Sequence, residues 1–493
     1  MIDDFYRQLY STLKSSRGDA YVRGQIRISY AEFLRTARRI NTALSGKKRA
    51  PIVTLGTKSP ETYAAILAII LSGNTWVPLS RSAPPLRNCG IIDDLCPALI
   101  FSDEDLPEPI AEAAMRVGAT IEDLAILAGT DAETEFNQIE YDANDLAMIY
   151  FTSGSTGEPK GVPITHGNYI PVIENLLKIL PLHSTDIFAD YYDFSFVISI
   201  PVLFTCWMVG GAIAPALSAA EVFLPTENLA DDGVTVLITV PSTVARIKRK
   251  FPDGVPGTSL RILINCGEPL HLDILSYSLN LVGSGDAYNF YGSTEVAPWT
   301  FFHHCKPGDE ERFAQFGYAP IGKLLPGNEM RIDESTGELF VAGAQITPGY
   351  LHARDSHRFI VSGGERWYAT GDKVVAFDEV YICKGRLDAQ VKIAGHRVEL
   401  MDTEAHLCTL EGVEGAVCFT EGGDESKIIV AALHASRPVS LTDVRAHLRE
   451  RLPAYMIPRK IHVLAEVPTN KNGKLDRLAI RETYGAGLRK KGP

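Results

Sequence analysis

The stretch YFTSGSTGEPKGVPITHGN, from Tyr150 to Asn168, crowds glycine, serine, threonine and Lys160 behind the apolar run LAMIY. Glycine lets a chain turn with positive φ and serine bonds nearby backbone, so a plain surface turn is one reading. An anion cradle is the other. Free backbone N–H groups, hydroxyl donors and an ammonium suit a group with several oxygens, such as a phosphate chain. The stretch is not the G-x-x-x-x-G-K-[ST] loop, because Gly161 follows Lys160 where that loop needs a hydroxyl. Asp193, in YYDFSFVIS, is a second candidate: a carboxylate among aromatic residues either caps a helix or faces a cation. His303, His304 and Cys305 could ligate a metal, but no second cluster at ligand spacing accompanies them.

These residues need rigid elements to hold them. APIVTLG reads as a strand, SPETYAAILAIILSG as a capped helix and TWVPLS as the next strand. VTVLITV leads into PSTVARIKRK, and LRILINCG into EPLHLDILSYSLN. Strand–helix alternation of this kind predicts a parallel-rich sheet covered by helices. From Gly337 to Tyr350 the pattern shifts to strands with short turns. Past KGRLDAQVKIAGHRVEL a small α+β pattern begins, with KIIVAALHA and RKIHVLAEV as strands and LTDVRAHLRERL as a helix capped by Thr or Asp. The last residues, GAGLRKKGP, read as a frayed basic tail.

The totals exclude several functions. With 493 residues and 45% hydrophobic content the chain can bury large cores. A net charge of −12 argues against a general nucleic-acid or anionic-membrane binder. The acidic start MIDDFYRQLY lacks a signal-peptide profile. The run AAILAIILSG falls short of the roughly 20 residues a membrane helix needs and reads as a buried helix. Eight scattered cysteines without C-x-x-C spacing suit reduced thiols in the cytoplasm.

Five further stretches stand beside the first: NFYGSTEVAPW (Asn289 to Trp299), YATGD (Tyr368 to Asp372), GRLDAQVKIAGHRVEL (Gly385 to Leu400), LPAYMIP (Leu452 to Pro458) and PTNKNGKLDR (Pro468 to Arg477). LSGNTWVPLS and GELFVAGAQITPGYL also fit. Their order and spacing resemble the adenylate-forming superfamily, which includes acyl-CoA ligases, luciferases and the adenylation domains of nonribosomal peptide synthetases. The resemblance implies an α/β fold, with a large N-terminal domain of helix-layered, parallel-rich sheets and a small β-barrel-like part. A small mobile α+β C-terminal domain would follow. The domains would span residues 1–386 and 387–493, with a hinge at Asp388.

The implied chemistry has two halves. A carboxylate attacks the α-phosphorus of ATP, giving an acyl-adenylate and pyrophosphate; a thiol then attacks the acyl carbon and AMP leaves. The family pattern puts Thr152, Ser153, Gly154, Ser155, Thr156, Gly157 and Lys160 around the β/γ-phosphates, which makes the opening stretch the cradle. It puts Asn289, Phe290, Tyr291 and Gly292 at the nucleotide, with Tyr291 stacked on adenine. Thr294 would contact the α-phosphate and Glu295 would hold Mg²⁺. Asp372 and Arg386 would meet the ribose, and Lys474 would bridge the attacking carboxylate and the α-phosphate.

Within the superfamily, YYDFSFVIS resembles the peptide-synthetase pattern F-D-x-S, with Tyr192 in place of Phe. In that branch the aspartate, here Asp193, pairs with the ammonium of an amino acid. The carried-over pocket comprises Asp193, Phe194, Val197, Thr239, Ile264, Cys266, Gly267, Phe290, Pro298 and Trp299. Phe290 and Trp299 stand where small residues are frequent, so little volume remains for a side chain. No lining residue beyond Asp193 and Lys474 is charged in this reading, which disfavours a charged side chain. NCGEPL is similar to D-alanine–carrier-protein ligases, which place a cysteine at Cys266. The leading expectation is a small amino acid, either hand of alanine or glycine, with proline and serine open. The chain ends soon after NGKLDR, so a free-standing ligase loading the phosphopantetheine thiol of a separate carrier protein is expected. An acyl- or aryl-CoA ligase is the alternative.

Overall fold

The computed structural model describes residues 2–136, 140–152, 159–353, 356–387, 390–423, 426–435, 437–464 and 477–484. Two parallel-rich sheets form its body. One has six strands in the order Thr120–Asp123, Leu99–Ser102, Pro51–Thr54, Thr75–Pro78, Leu146–Thr152 and Lys160–Thr165. Only its last pair is antiparallel, and that pair sets Thr152 opposite Lys160 across the start of the glycine-rich stretch. The other has nine strands, of which Asp286–Tyr291, Ile262–Cys266, Val236–Thr239, Ile187–Asp190, Ala212–Pro215 and Asp19–Arg23 are successive parallel neighbours. The expected strand–helix alternation is thus realised.

Both sheets share one core. Ile52, Trp76 and Tyr150 from the six-stranded sheet and Phe188, Ile213 and Ile264 from the nine-stranded sheet belong to it. The run AAILAIILSG is helix Pro60–Leu71 in this core, with every residue from Thr62 to Leu71 buried. A helix apolar on all sides needs neighbours on all sides, which the shared core supplies. Its start is fixed by Ser59, whose Oγ accepts from the Thr62 N–H at 3.2 Å, and by Pro60 in the first turn. Helix Ser199–Val209 is buried in the same manner. No helix among the described residues is long and apolar enough to cross a membrane.

A smaller antiparallel sheet supplies the all-strand part. Its long strand Glu365–Phe377 pairs with Glu338–Gly343, Phe359–Ser362 and Val380–Arg386. The register places Asp372 directly opposite Arg386. The chain then turns through the hairpin Gln390–Ile393/His396–Glu399. Its two-residue turn, Ala394–Gly395, has φ of 49° and 82°, the positive pair a tight right-twisted hairpin requires. Beyond it, Val413–Glu421, Ile428–Ala435 and Lys460–Val463 form a three-stranded sheet with helices Leu400–Cys408 and Leu441–Arg449. This segment has a core of its own, around Val398, Leu407, Leu433 and Leu448. The cap of helix Leu441–Arg449 is Ser440, two places before Thr442 and three before Asp443, the caps the sequence suggests, its Oγ accepting from the Asp443 N–H at 3.4 Å.

Candidate active site

A cavity of about 1010 Å³ lies where the C-terminal ends of the parallel strands meet the small sheet and the C-terminal hairpin. Asp193, Phe194, Val197, Cys266, Gly267, Tyr291, Gly292, Thr294, Pro298, Trp299, Thr152, Asp372 and Arg386 all line it. Residues carried over from stretches more than two hundred positions apart therefore border one space. Asn289, Phe290, Thr239 and Ile264 do not line it. Asn289 donates to the Pro320 carbonyl at 2.8 Å, and Ile264 is fully buried in the core. Thr239 meets the Tyr192 hydroxyl at 3.0 Å, and Phe290 backs Trp299 with ring centroids 4.6 Å apart. Ile264 and Phe290 share a sheet face with Cys266 yet stand behind the lining, a depth that a residue-by-residue carry-over does not show. Ser153, Gly154, Ser155, Thr156, Gly157, Asp388 and Lys474 lie outside the described residues.

Asp193 sits in a turn and caps no helix; the next helix starts at Ser199. Its Oδ1 accepts from the Ser195 N–H at 2.9 Å and the Ser195 hydroxyl at 2.6 Å, and its Oδ2 accepts from Ser80 Oγ at 2.7 Å. A carboxylate has about four acceptor sites, so about one remains for a ligand. Tyr192, standing for the usual Phe, spends its hydroxyl on the Val240 N–H at 2.9 Å and on Thr239. The extra oxygen is therefore satisfied behind the wall. Trp299 and Cys266 are 4% and 2% exposed and face the cavity beside Asp193. Burial pushes the Cys266 thiol up to about 12, so it is a neutral wall group.

On the opposite side, Tyr291 donates to Asp372 Oδ2 at 2.6 Å and Arg386 donates to Asp372 Oδ1 at 2.9 Å. A Cβ on Gly292 would stand 2.1 Å from the Pro298 carbonyl oxygen, so only glycine lets this turn close. Glu295, 1% exposed, accepts from Arg397 through both oxygens at 3.1 and 2.9 Å and from the Tyr350 hydroxyl at 2.6 Å. Burial opposes its ionisation, but the Arg397 guanidinium and the Tyr350 bond outweigh it and hold the carboxyl at about 2. Lys160 Nζ lies 3.9 Å from Glu399 Oε1 and 5.6 Å from the Tyr350 ring. The hairpin thus brings a cation to Glu295 and an anion to Lys160.

Sequence reasoning missed the charge around this cavity. Lys58, Arg81, Arg87, Arg246, Lys392 and Arg459 border it, in addition to the residues expected for the substrate pocket. Apart from Lys392, which lies in GRLDAQVKIAGHRVEL, they belong to none of the quoted motifs and are gathered only by the fold. Lys58 is 2.7 Å from Asp190 Oδ1, and Asp190 also accepts through Oδ2 from the Tyr63 hydroxyl. Ser80 and Tyr455 lie in LSGNTWVPLS and LPAYMIP, but a motif match does not show that their side chains face the cavity. His303 and His304 lie elsewhere, paired with Asp309 and Asp286 at 2.7 Å each. No group of three or more metal-ligating side chains occurs among the described residues.

The parallel body, the separate C-terminal segment and the cation-rich cavity between them define an α/β enzyme with a docked lobe over its site. The chain belongs to the AMP-binding enzyme family: residues 13–351 match that family, and residues 402–474 match the AMP-binding enzyme C-terminal domain. It is 30% identical over 490 residues to a plipastatin synthase chain of Bacillus subtilis, covering 93% of this chain and 18% of that protein. It is 29% identical over 451 residues to a D-alanine–D-alanyl carrier protein ligase of Staphylococcus epidermidis, covering 88% of this chain and 90% of the ligase. The chain therefore spans under a fifth of the first relative and nearly all of the second. In fold it is similar to a Vibrio cholerae adenylation domain in complex with glycyl-adenosine-5′-phosphate, with a TM-score of 0.80, 21% identity and 97% of each chain covered.

Proposed function

We propose that this enzyme activates a small amino acid with ATP as the aminoacyl-adenylate and then transfers it to the phosphopantetheine thiol of a carrier protein. The observation that carries the reading is Asp193. Three donors aim it, and it borders the cavity next to Trp299, which suits one further donor, an ammonium. The name of the D-alanine–D-alanyl carrier protein ligase relative supports both the acid and the acceptor. Trp299, backed by Phe290, favours a side chain no larger than that of alanine or serine.

In this account Tyr291, Asp372 and Arg386 form the nucleoside side and Lys160 the phosphate side. Glu295 is the group that would hold Mg²⁺. A single ionised carboxylate suits that ion, which takes one or two protein carboxylates and completes its shell with phosphate and water. The ion would neutralise phosphate charge as pyrophosphate departs. Arg397 bonds both Glu295 oxygens in this arrangement, so to hold the ion Glu295 would have to give up part of that pairing. We place the domain division after Arg386, where the small sheet ends, with Asp388 as the hinge and Lys474 as the cation meeting the attacking carboxylate. A cytoplasmic setting agrees with the eight free cysteines.

Pyrophosphate exchange with the twenty amino acids, D-alanine and a set of fatty and aryl acids tests the reading. Glycine or alanine should stimulate exchange most. Exchange driven only by acids without an amino group would end it.

A further inference from the structure

We propose that His396 is the proton acceptor of the transfer step, taking the S–H proton of the acceptor thiol as sulfur attacks the acyl carbon. The inference rests on the reading that this enzyme joins an activated acid to a thiol.

His396 opens the return strand of the hairpin, directly after the Ala394–Gly395 turn. That turn is pressed into the body of the protein. A Cβ on Gly395 would stand 2.6 Å from Val240 Cγ1, and the Gly395 backbone bonds Glu268, two residues past Cys266. The imidazole is clasped on both sides. It lies face to face with Tyr455, at 3.8 Å between centroids and 5° between planes, and 4.5 Å from the ring of Phe196, three residues past Asp193. It lines the same cavity as Asp193, Cys266 and Trp299.

Within this packing neither ring nitrogen bonds a described protein group, and Nδ1 is buried without a partner. Nδ1 is closed off from solvent, so the nitrogen able to meet a donor from the cavity is Nε2, which no described group bonds. Elimination points the same way. Among the described cavity-lining residues the carboxylates are engaged: Asp193 with Ser80, Ser195 and, on that same reading, the ammonium of the substrate, and Asp372 with Tyr291 and Arg386. Lys58 is ion-paired with Asp190. Burial also lowers the His396 imidazole to about 4, so it stands neutral and able to accept.

The step balances. Sulfur forms a bond to the acyl carbon, and the S–H proton passes to a ring nitrogen. The bond from that carbon to the phosphate oxygen breaks, and AMP leaves with the electron pair. A free thiol has a pKa of roughly 8.5, but its proton becomes strongly acidic as the C–S bond forms, so a weak base suffices. The imidazolium, disfavoured by burial, then releases its proton to solvent or to the departing phosphate.

The test compares His396→Phe, which keeps the ring stack, with His396→Ala. Two rates are read in the full chain: amino-acid-dependent pyrophosphate exchange, and single-turnover transfer from preformed adenylate to holo-carrier protein. The ratio of transfer to exchange should fall about 10²-fold in both variants, and added imidazole should restore part of the transfer in His396→Ala. A ratio within about threefold of wild type overturns the proposal. So does a loss that imidazole leaves untouched, which would assign the ring to packing. Should His396→Ala fail to fold, His396→Asn takes its place in the rescue arm. If wild type exchanges only with a non-amino acid, the substrate reading fails, and the same comparison runs with that acid and coenzyme A.

Discussion

The two ends of the cavity treat their polar groups differently. On the side proposed for the nucleotide, both described carboxylates face a guanidinium: Asp372 is bonded by Arg386 and Tyr291, and Glu295, just behind the lining, by Arg397 and Tyr350. At the acyl end Asp193 keeps about one acceptor site open, and the His396 nitrogens have no described partner. A buried carboxylate is expensive without a counter-charge, and Arg386 and Arg397 supply it on the side proposed for the nucleotide. On the side proposed for the acyl group, the hydrogen bonds of Asp193 come from neutral donors, Ser80 and Ser195, so its charge is left for a cationic ligand. One side thus carries its counter-charge within the protein, and the other leaves its charge for the ligand.

Substitutions can break or sharpen this contrast. Lys474→Ala removes the cation expected between two anions and should cut adenylation by about 10²–10³-fold; an unchanged exchange rate would remove Lys474 from the mechanism. Asp193→Ala should lower amino-acid-dependent exchange by about 10²-fold, the cost of losing a charged hydrogen bond in a partly buried site. Little change there would make the acyl end a mere wall. Trp299→Ala should move preference toward larger side chains by about tenfold, roughly one or two methylenes of added space. A substrate panel with no widening would show that the tryptophan does not limit the pocket. Tyr291→Phe deletes one donor to Asp372 and should raise the KM for ATP by about fivefold, the worth of one neutral–ion bond at its low end.

The smallest effect is one of pH. Glu295 is held at about 2 against an ordinary 4.5, a depressed value. Its contribution to the docked state is therefore complete above about pH 4.5 and is lost as pH falls toward 2. Arg397→Ala should abolish this dependence, as read by the acid-induced separation of labels on body and lobe. A pH response kept in the variant would place the linkage elsewhere.

Much of this was legible in the sequence. The buried helix Pro60–Leu71 and the alternating strands announced themselves because hydrophobic period and caps are local properties. Tyr291, Thr294, Asp372 and Asp193 were legible through ordered motifs, and all four border one cavity. What stayed hidden depends on side-chain direction and distant approach. Phe290 and Thr239 stand behind the wall, covered by Trp299 and Tyr192. Ser80 reaches Asp193 across 113 residues of chain, and Arg397 reaches Glu295 across 102. No spacing rule registers such pairs; they exist only once the sheets and the hairpin are assembled.

The central claim is that Asp193 reads an ammonium. Pyrophosphate exchange with alanine and with propionate, in wild type and in Asp193→Asn, tests it most directly. Wild type should favour alanine by at least about 10²-fold, and the variant should lose most of that preference. Equal exchange with both acids in wild type, or an undiminished preference in the variant, would contradict the account.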